Sequence, residues 1–307
     1  MRGRRSAAPG WFTLPLVRVA LMVEGQEGVS WDQWLALAEG CEEHGIVTLF
    51  RSDHYLSLTA PRERPATDAW TLLGALAGRT SKLRLGTLVS PVTFRHPAVA
   101  AKAAATVDHI SGGRVEVGLG AGWMQLEHET FGFPFPETSE RVRMLAEQLE
   151  RVDGLLRDDP VTVQQPRPPL IVGGAARRGT AEPAARFADE YNTFGVDAPE
   201  AERRRKRLDE ACERIGRDPA TLHFSLMTPF LLDRDHARRF VERYPNAGTA
   251  DQWFDELDRR GLAGDLVAGL REYEAVGVER VMLQHVVHED LDVVAAIGRE
   301  IAPVLGN

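Results

Sequence analysis

The run Ser52-Asp53-His54-Tyr55 sets an acid, an imidazole and a phenol side by side. His54 can serve as acid, base or hydrogen-bond donor near neutral pH. The competing reading is a loop histidine bonded to Asp53 or to the main chain. Glu127 and His128 form a second candidate catalytic group, on a loop or a short helix. A metal centre is not predicted. Nine histidines are present, but no His-x-x-x-His or Cys-x-x-Cys pair occurs, and the spacings of His96, His109 and His128 match no compact ligand set.

Two glycine-bearing segments could hold a ligand by its main-chain contacts. Val115-Glu116-Val117-Gly118-Leu119-Gly120-Ala121-Gly122-Trp123 begins as a strand and ends with little side-chain bulk. Gly118, Gly120 and Gly122 would let a flat ligand approach the backbone. Relief of crowding inside a barrel is the alternative. In Val172-Gly173-Gly174-Ala175-Ala176-Arg177-Arg178, open amides and arginines near a helix start suit a phosphate. The lysine and hydroxyl of a Walker loop are missing, and a plain tight turn is the other reading.

The elements that must position these groups follow one rhythm. Short apolar runs at 16–23, 46–51, 83–89, 114–120, 170–173, 190–194, 222–227 and 280–285 read as strands. Helical patterns lie between them at 31–44, 68–78, 97–110, 138–156 and 199–215, and a last one follows at 291–305. Pro97 opens the third helix. Pro183 is expected in the first turn of a helix that starts late after the fifth strand, because an interior proline costs about 3 kcal/mol. Eight strand–helix units in one chain predict a single α/β domain, a (β/α)8 TIM barrel. Residues 1–15 read as a flexible tail and 16–307 as the barrel. The long connections at 51–67 and 228–249 follow strands and so belong to the C-terminal face, where barrels build their sites.

Bulk properties narrow the partners. The chain has 307 residues, 43% of them hydrophobic, and a formal charge of −8 with both signs interspersed, which argues against nucleic acid. The basic run 203–207 sits among acids in a helical pattern and reads as a solvated face. Cys41 and Cys212 lie in helical patterns, so no structural disulfide is expected. No window has the roughly 20 apolar residues of a membrane helix, and a soluble cytoplasmic protein is expected.

With these residues in view, the chain resembles the bacterial luciferase-like flavin enzymes, and within them an actinobacterial branch that uses the deazaflavin coenzyme F420. The likeness is carried by Ser52-Asp53-His54, Leu85-Gly86-Thr87-Leu88-Val89-Ser90-Pro91, Arg95-His96-Pro97, Ala104-Ala105-Thr106-Val107-Asp108-His109-Ile110-Ser111-Gly112-Gly113-Arg114 and Gly118-Leu119-Gly120-Ala121-Gly122-Trp123. Leu170-Ile171-Val172-Gly173-Gly174 and Val281-Met282-Leu283-Gln284-His285 continue it.

The resemblance implies a ring-shaped cofactor at the C-terminal mouth, with Asp53, Thr87, Leu88 and Val89 around it and a non-proline cis peptide at Leu88–Val89. It places His54 by the reactive part of the ring. Thr106 and the Gly120-Ala121-Gly122-Trp123 backbone would line the ring or its ribityl chain, and Gly173, Gly174 and Ala175 would receive the phosphate. Relatives acting on sugar phosphates carry a glutamate where this chain has Trp123, so Glu127 or His128 becomes the candidate acid. The implied activity is hydride transfer between coenzyme F420 and a small organic substrate. Two alternatives stand beside it: an FMN-dependent monooxygenase served by a separate reductase, and a silent partner subunit. A homodimer is the implied assembly.

Overall fold

Strands form where apolar residues come in short runs, and the computed structural model, which describes residues 17–58 and 63–305, closes them into one barrel. In chain order they are β1 (Arg18–Val23), β2 (Thr48–Arg51), β3 (Arg84–Thr87), β4 (Ser90–Pro91), β5 (Val115–Gly120), β6 (Leu170–Gly173), β7 (Glu190–Phe194), β8 (His223–Pro229) and β9 (Arg280–Gln284). All neighbours are parallel, and β3 also pairs β5, which closes the ring. The pair β3 and β4 is one barrel stave in two pieces, so the predicted (β/α)8 architecture holds. The run at 83–89, expected as one strand, is interrupted by a cis peptide at Leu88–Val89. The N-terminal tail lies outside the described residues.

Side chains alternate across each strand, and the alternation decides what fills the barrel. Ala20, Met22, Phe50, Leu88, Ile171 and Met282 pack together inside, while Val19, Leu21 and Val23 join the outer core beneath the helices. The floor is ionic. Buried Arg280 donates to Glu116 at 2.7 Å and Glu190 at 2.6 Å, and Arg84 adds a second cation to Glu116 at 2.7 Å. Burial opposes charge on Glu116, yet the two guanidinium groups hold it down at about 2.

The helices are bounded by local signals. In α1 (Trp31–His44) Ser30 and Gln33 form a capping box, and Gly45 ends it in the left-handed region. Pro97 opens α3 (Pro97–Ser111) after the short α2 (Ala69–Ala77). A short helix, α4 (Gln125–Phe131), and the long α5 (Thr138–Asp158) follow β5.

Pro183 corrects the expectation placed on it. It lies inside α6 (Arg178–Phe187), which does not start late. The Arg177 carbonyl accepts from the amides of Thr180 and Ala181, and Ala181, Pro183, Ala184 and Ala185 are all buried, so tertiary packing outweighs the lost bond. Four hydrogen bonds from arginines 203, 204 and 207 to Glu200 and Thr193 dress α7 (Ala198–Arg214). The connection 228–249 carries α8 (Arg234–Arg243), and α9 (Ala250–Asp258) and α10 (Leu266–Ala275) follow before β9, none of them anticipated from the apolar pattern. Both cysteines are buried and unpaired. No helix among the described residues is long and apolar enough to cross a membrane.

Candidate functional site

His54 leaves the C-terminal end of β2 and meets a carboxylate from the far side of β5. Its Nδ1 lies 2.8 Å from Oε2 of Glu127, which is fully buried on α4. The other oxygen of Glu127 accepts the amides of Tyr55 at 2.5 Å and Leu56 at 3.0 Å, so one carboxylate orders the whole turn. Burial disfavours a charged imidazole, but the bond to Glu127 outweighs it and raises the His54 pKa. Nδ1 is engaged, leaving Nε2 for a reacting group. The ring of Trp123 stands edge-on to His54 at 5.8 Å and is 64% exposed. Glu127 is thus a positioning residue for His54.

His128 does not join them. Its two ring nitrogens are spent on Thr93 Oγ1 at 2.6 Å and the Met124 carbonyl at 2.8 Å, and its ring packs against Phe94 and Phe135. A helix presents neighbouring residues in different directions, so Glu127 and His128 cannot share one task.

Asp53 is buried behind the mouth. It accepts from Ser90 Oγ at 2.6 Å and is gripped by both terminal nitrogens of Arg95, which also reaches Asp68 at 2.6 Å and the Tyr55 hydroxyl at 2.7 Å. Ser90 directly follows the Leu88–Val89 bond, so this network ties the bulged stave to the His54 turn. Thr87 is likewise internal: its hydroxyl donates to the Gly118 carbonyl at 3.0 Å and accepts the Gly118 amide at 3.2 Å, bridging the interrupted ladder.

The glycines of β5 have a different partner from the one expected. A Cβ on Gly118 would fall 2.1 Å from the Thr87 carbonyl oxygen and 2.9 Å from Val89 Cγ1. One on Gly120 would meet Val89 Cγ2 at 2.5 Å, and one on Gly173 would meet it at 3.0 Å. Relief of crowding is therefore the reading the geometry favours: three positions on two strands, β5 and β6, give up side chains to seat Val89. Gly122 serves the backbone instead, with φ of 78° beside Thr93 and Pro91. Ala121 is half-buried between them. Thr106 lies on the solvent face of α3, its hydroxyl donating to the Lys102 carbonyl at 2.7 Å, and is not brought to the mouth.

At the β6–α6 turn the amides divide. Gly174 donates to the Asn192 carbonyl at 3.0 Å, and Ala176 to the Tyr191 hydroxyl at 2.8 Å. A Gly174 side chain would collide with that hydroxyl, at 2.6 Å. The amides of Ala175, Arg178 and Gly179 make no hydrogen bond among the described residues. They open at the start of α6 with exposed Arg177 and Arg178. A cavity of about 290 Å³ lined by Ala176, Arg178, Ala181, Arg207, Glu210 and Arg214 adjoins this turn.

Four mouth residues escaped the sequence reading. Counting by twos from Ala20 and Met22 brings Glu24 inward above β1, and Gln284 follows Met282 inward on β9. Phe194 and Met227 are register partners at the tops of β7 and β8, with Phe194 55% exposed. The signal was available in the strand period once the interior face was known.

The residues 9–300 match the family model for the luciferase-like monooxygenases. An F420-dependent glucose-6-phosphate dehydrogenase of Nakamurella multipartita is 26% identical, over 88% of this chain and 91% of that one. An FMNH2-dependent dimethylsulfone monooxygenase of Pseudomonas putida is 31% identical, over 41% of this chain and 39% of that one. Among solved structures, an F420-dependent secondary alcohol dehydrogenase superposes with a TM-score of 0.78 at 19% identity, covering 95% of this chain and 100% of its own. A closed parallel barrel with its polar mouth at the strand C-termini, and a family match across nearly its whole length, establish that the chain belongs to the luciferase-like monooxygenase family.

Proposed function

We propose that the protein is an oxidoreductase that transfers a hydride between coenzyme F420 and a small organic substrate. The observation that carries the reading is the His54–Glu127 pair at the rim, which holds a proton-bearing imidazole with Nε2 unspent. The residues present fit such a cofactor at both ends. Val89, Trp123 and the Gly120-Ala121-Gly122 backbone form a surface for a flat ring, and the unbonded amides of Ala175, Arg178 and Gly179 with Arg177 suit a phosphate. When bound, the deazaflavin would supply or accept the hydride.

Each protein group then has one task. Glu127 fixes the tautomer and orientation of His54 and favours its protonated form. Nε2 gives a proton to a substrate oxygen in reduction and takes one in oxidation. Trp123 covers the imidazole edge, and the Asp53–Arg95–Ser90 network holds the His54 turn against the bulged stave. The relative that uses reduced FMN supports a second reading, a flavin-dependent monooxygenase on the same barrel.

Titration of the protein with F420 and with FMN tests the reading. F420 is expected to bind in preference to FMN. His54→Ala should leave that binding largely intact while slowing substrate-linked turnover by about 10²–10⁴-fold. Glu127→Gln should lower the His54 pKa and shift the pH profile of turnover in the acid direction. Exclusive binding of FMN would move the reading to oxygen chemistry.

A further inference from the structure

We infer that Glu24 sets the charge class of the substrate, admitting uncharged organic molecules with an apolar body and rejecting phosphorylated or carboxylated ones. The inference rests on the oxidoreductase reading for its chemistry and on the geometry of the mouth for its charge.

Glu24 continues the inward face of β1 and is half-buried at the mouth. Oε1 accepts from Gln284 Nε2 at 2.5 Å and Oε2 from Gln26 Nε2 at 2.8 Å. Gln26 is fully buried and accepts in turn from Ser52 Oγ at 2.5 Å. The carboxylate is therefore oriented by neutral amides, and no cation among the described residues comes within ion-pair distance of it. Its field reaches His54, whose protonated form it favours.

The nearby cations have their hydrogen-bond partners elsewhere. Arg51, whose guanidinium lies beside Gly25 and feels the Glu24 charge, donates to the carbonyls of Ser52 and Thr67 and to the Thr67 hydroxyl. Arg95 is divided between Asp53 and Asp68, and His54 is matched by Glu127. Around the ring end of the mouth the carboxylates Glu24, Asp53, Asp68 and Glu127 outnumber Arg51, Arg95 and a protonated His54. Trp123 stands beside His54, and elsewhere around the mouth Val89, Phe194 and Met227 offer apolar contact surface. Across the barrel, exposed Arg177 beside the unbonded amides gives the opposite sign, with Arg178 next to it paired to Glu182 at 3.0 Å. The mouth is polar in the electrical sense: an anion is welcome at the β6–α6 end and unwelcome at the β1–β2 end. This separates the chain from its relative named for glucose 6-phosphate.

Quenching of Trp123 emission, taken as the difference between the wild type and Trp123→Phe, tests the charge without any cofactor. Acrylamide, which is neutral, should reach Trp123 freely, and iodide should be held back. Glu24→Gln should raise the iodide constant about two- to threefold at low salt and leave the acrylamide constant unchanged, the order of size expected for removing one charge from a wet cleft. Added salt should raise the iodide constant more in the wild type than in Glu24→Gln, because the net charge of −8 is shared by both and Glu24 is not. An iodide constant indifferent to Glu24→Gln overturns the inference. On the F420-loaded protein, benzyl alcohol should bind more tightly than benzoate, and equal binding also overturns it. Failure to bind F420 or FMN at all would defeat the proposed function and leave the quenching result standing.

Discussion

Three buried histidines should make this barrel acid-labile well above the pH at which its carboxylates titrate. His285 follows β9, His236 projects from α8, and His288 lies in the next turn; all are at most 2% exposed. The rings of His236 and His285 are 6.4 Å apart. Neither nitrogen of His285 has a partner at hydrogen-bond geometry, although the Asp290 backbone lies close enough to oppose its shift weakly. Burial, then the neighbouring histidines, lowers His285 to about 3; burial and Arg239 lower His236 to about 4, and burial and Arg243 lower His288 to about 4. Asp233, Asp290, Glu289 and Glu27 pull the other way without prevailing, and Arg64 adds to the cationic side.

A histidine with a depressed folded pKa stabilises the fold above its unfolded value of about 6.5, and that stability drains away as pH falls toward the folded pKa. Between pH 7 and pH 5 each such residue should forfeit about 2 kcal/mol. His54 works in the opposite sense, since its raised pKa gives stability that is present at low pH and lost on going alkaline. The comparison that removes His54 from the balance is the wild type against His285→Leu, each melted in urea at pH 7 and pH 5. The variant should be about as stable as the wild type at pH 7, because two unbonded buried nitrogens give way to a side chain of similar volume. Its loss between pH 7 and pH 5 should be smaller by about 2 kcal/mol. Equal losses in the two proteins would refute the reasoning.

Gly118→Ala should be among the most damaging single methyl additions in the chain, because the new carbon would lie 2.1 Å from the rigid Thr87 carbonyl oxygen. A loss of about 3 kcal/mol or failure to accumulate as soluble protein is expected, read by thermal melting. Arg280→Met should cost about 3–5 kcal/mol by leaving Glu116 and Glu190 buried without their shared cation. Adding Glu116→Gln and Glu190→Gln should recover much of that, and a triple variant no better than Arg280→Met would show that packing over Phe50 carries the cost.

How much of this was readable without coordinates depended on whether a residue's neighbours were close along the chain. The barrel was readable because strand and helix periods are local, and the run 85–123 carried the family. Cis geometry at Leu88–Val89, implied by that resemblance, is present. Three kinds of information were not local. Val89 and the glycines at 118, 120 and 173 answer each other across three staves, so glycines that read as a seat for a ligand also make room for a side chain. Glu127 and His128, adjacent in sequence, point to different neighbours, and only the fold shows that Glu127 holds His54 while His128 is consumed by Thr93 and Met124. Pro183 broke a local rule that burial of the small face of α6 overrode. The mouth residues Glu24 and Gln284 come from the first and last strands, 260 positions apart, and meet only because the barrel closes. A site made by closure is invisible to any window of sequence, and it is there, in the contact between the ends of the sheet, that the chemical character of the mouth is decided.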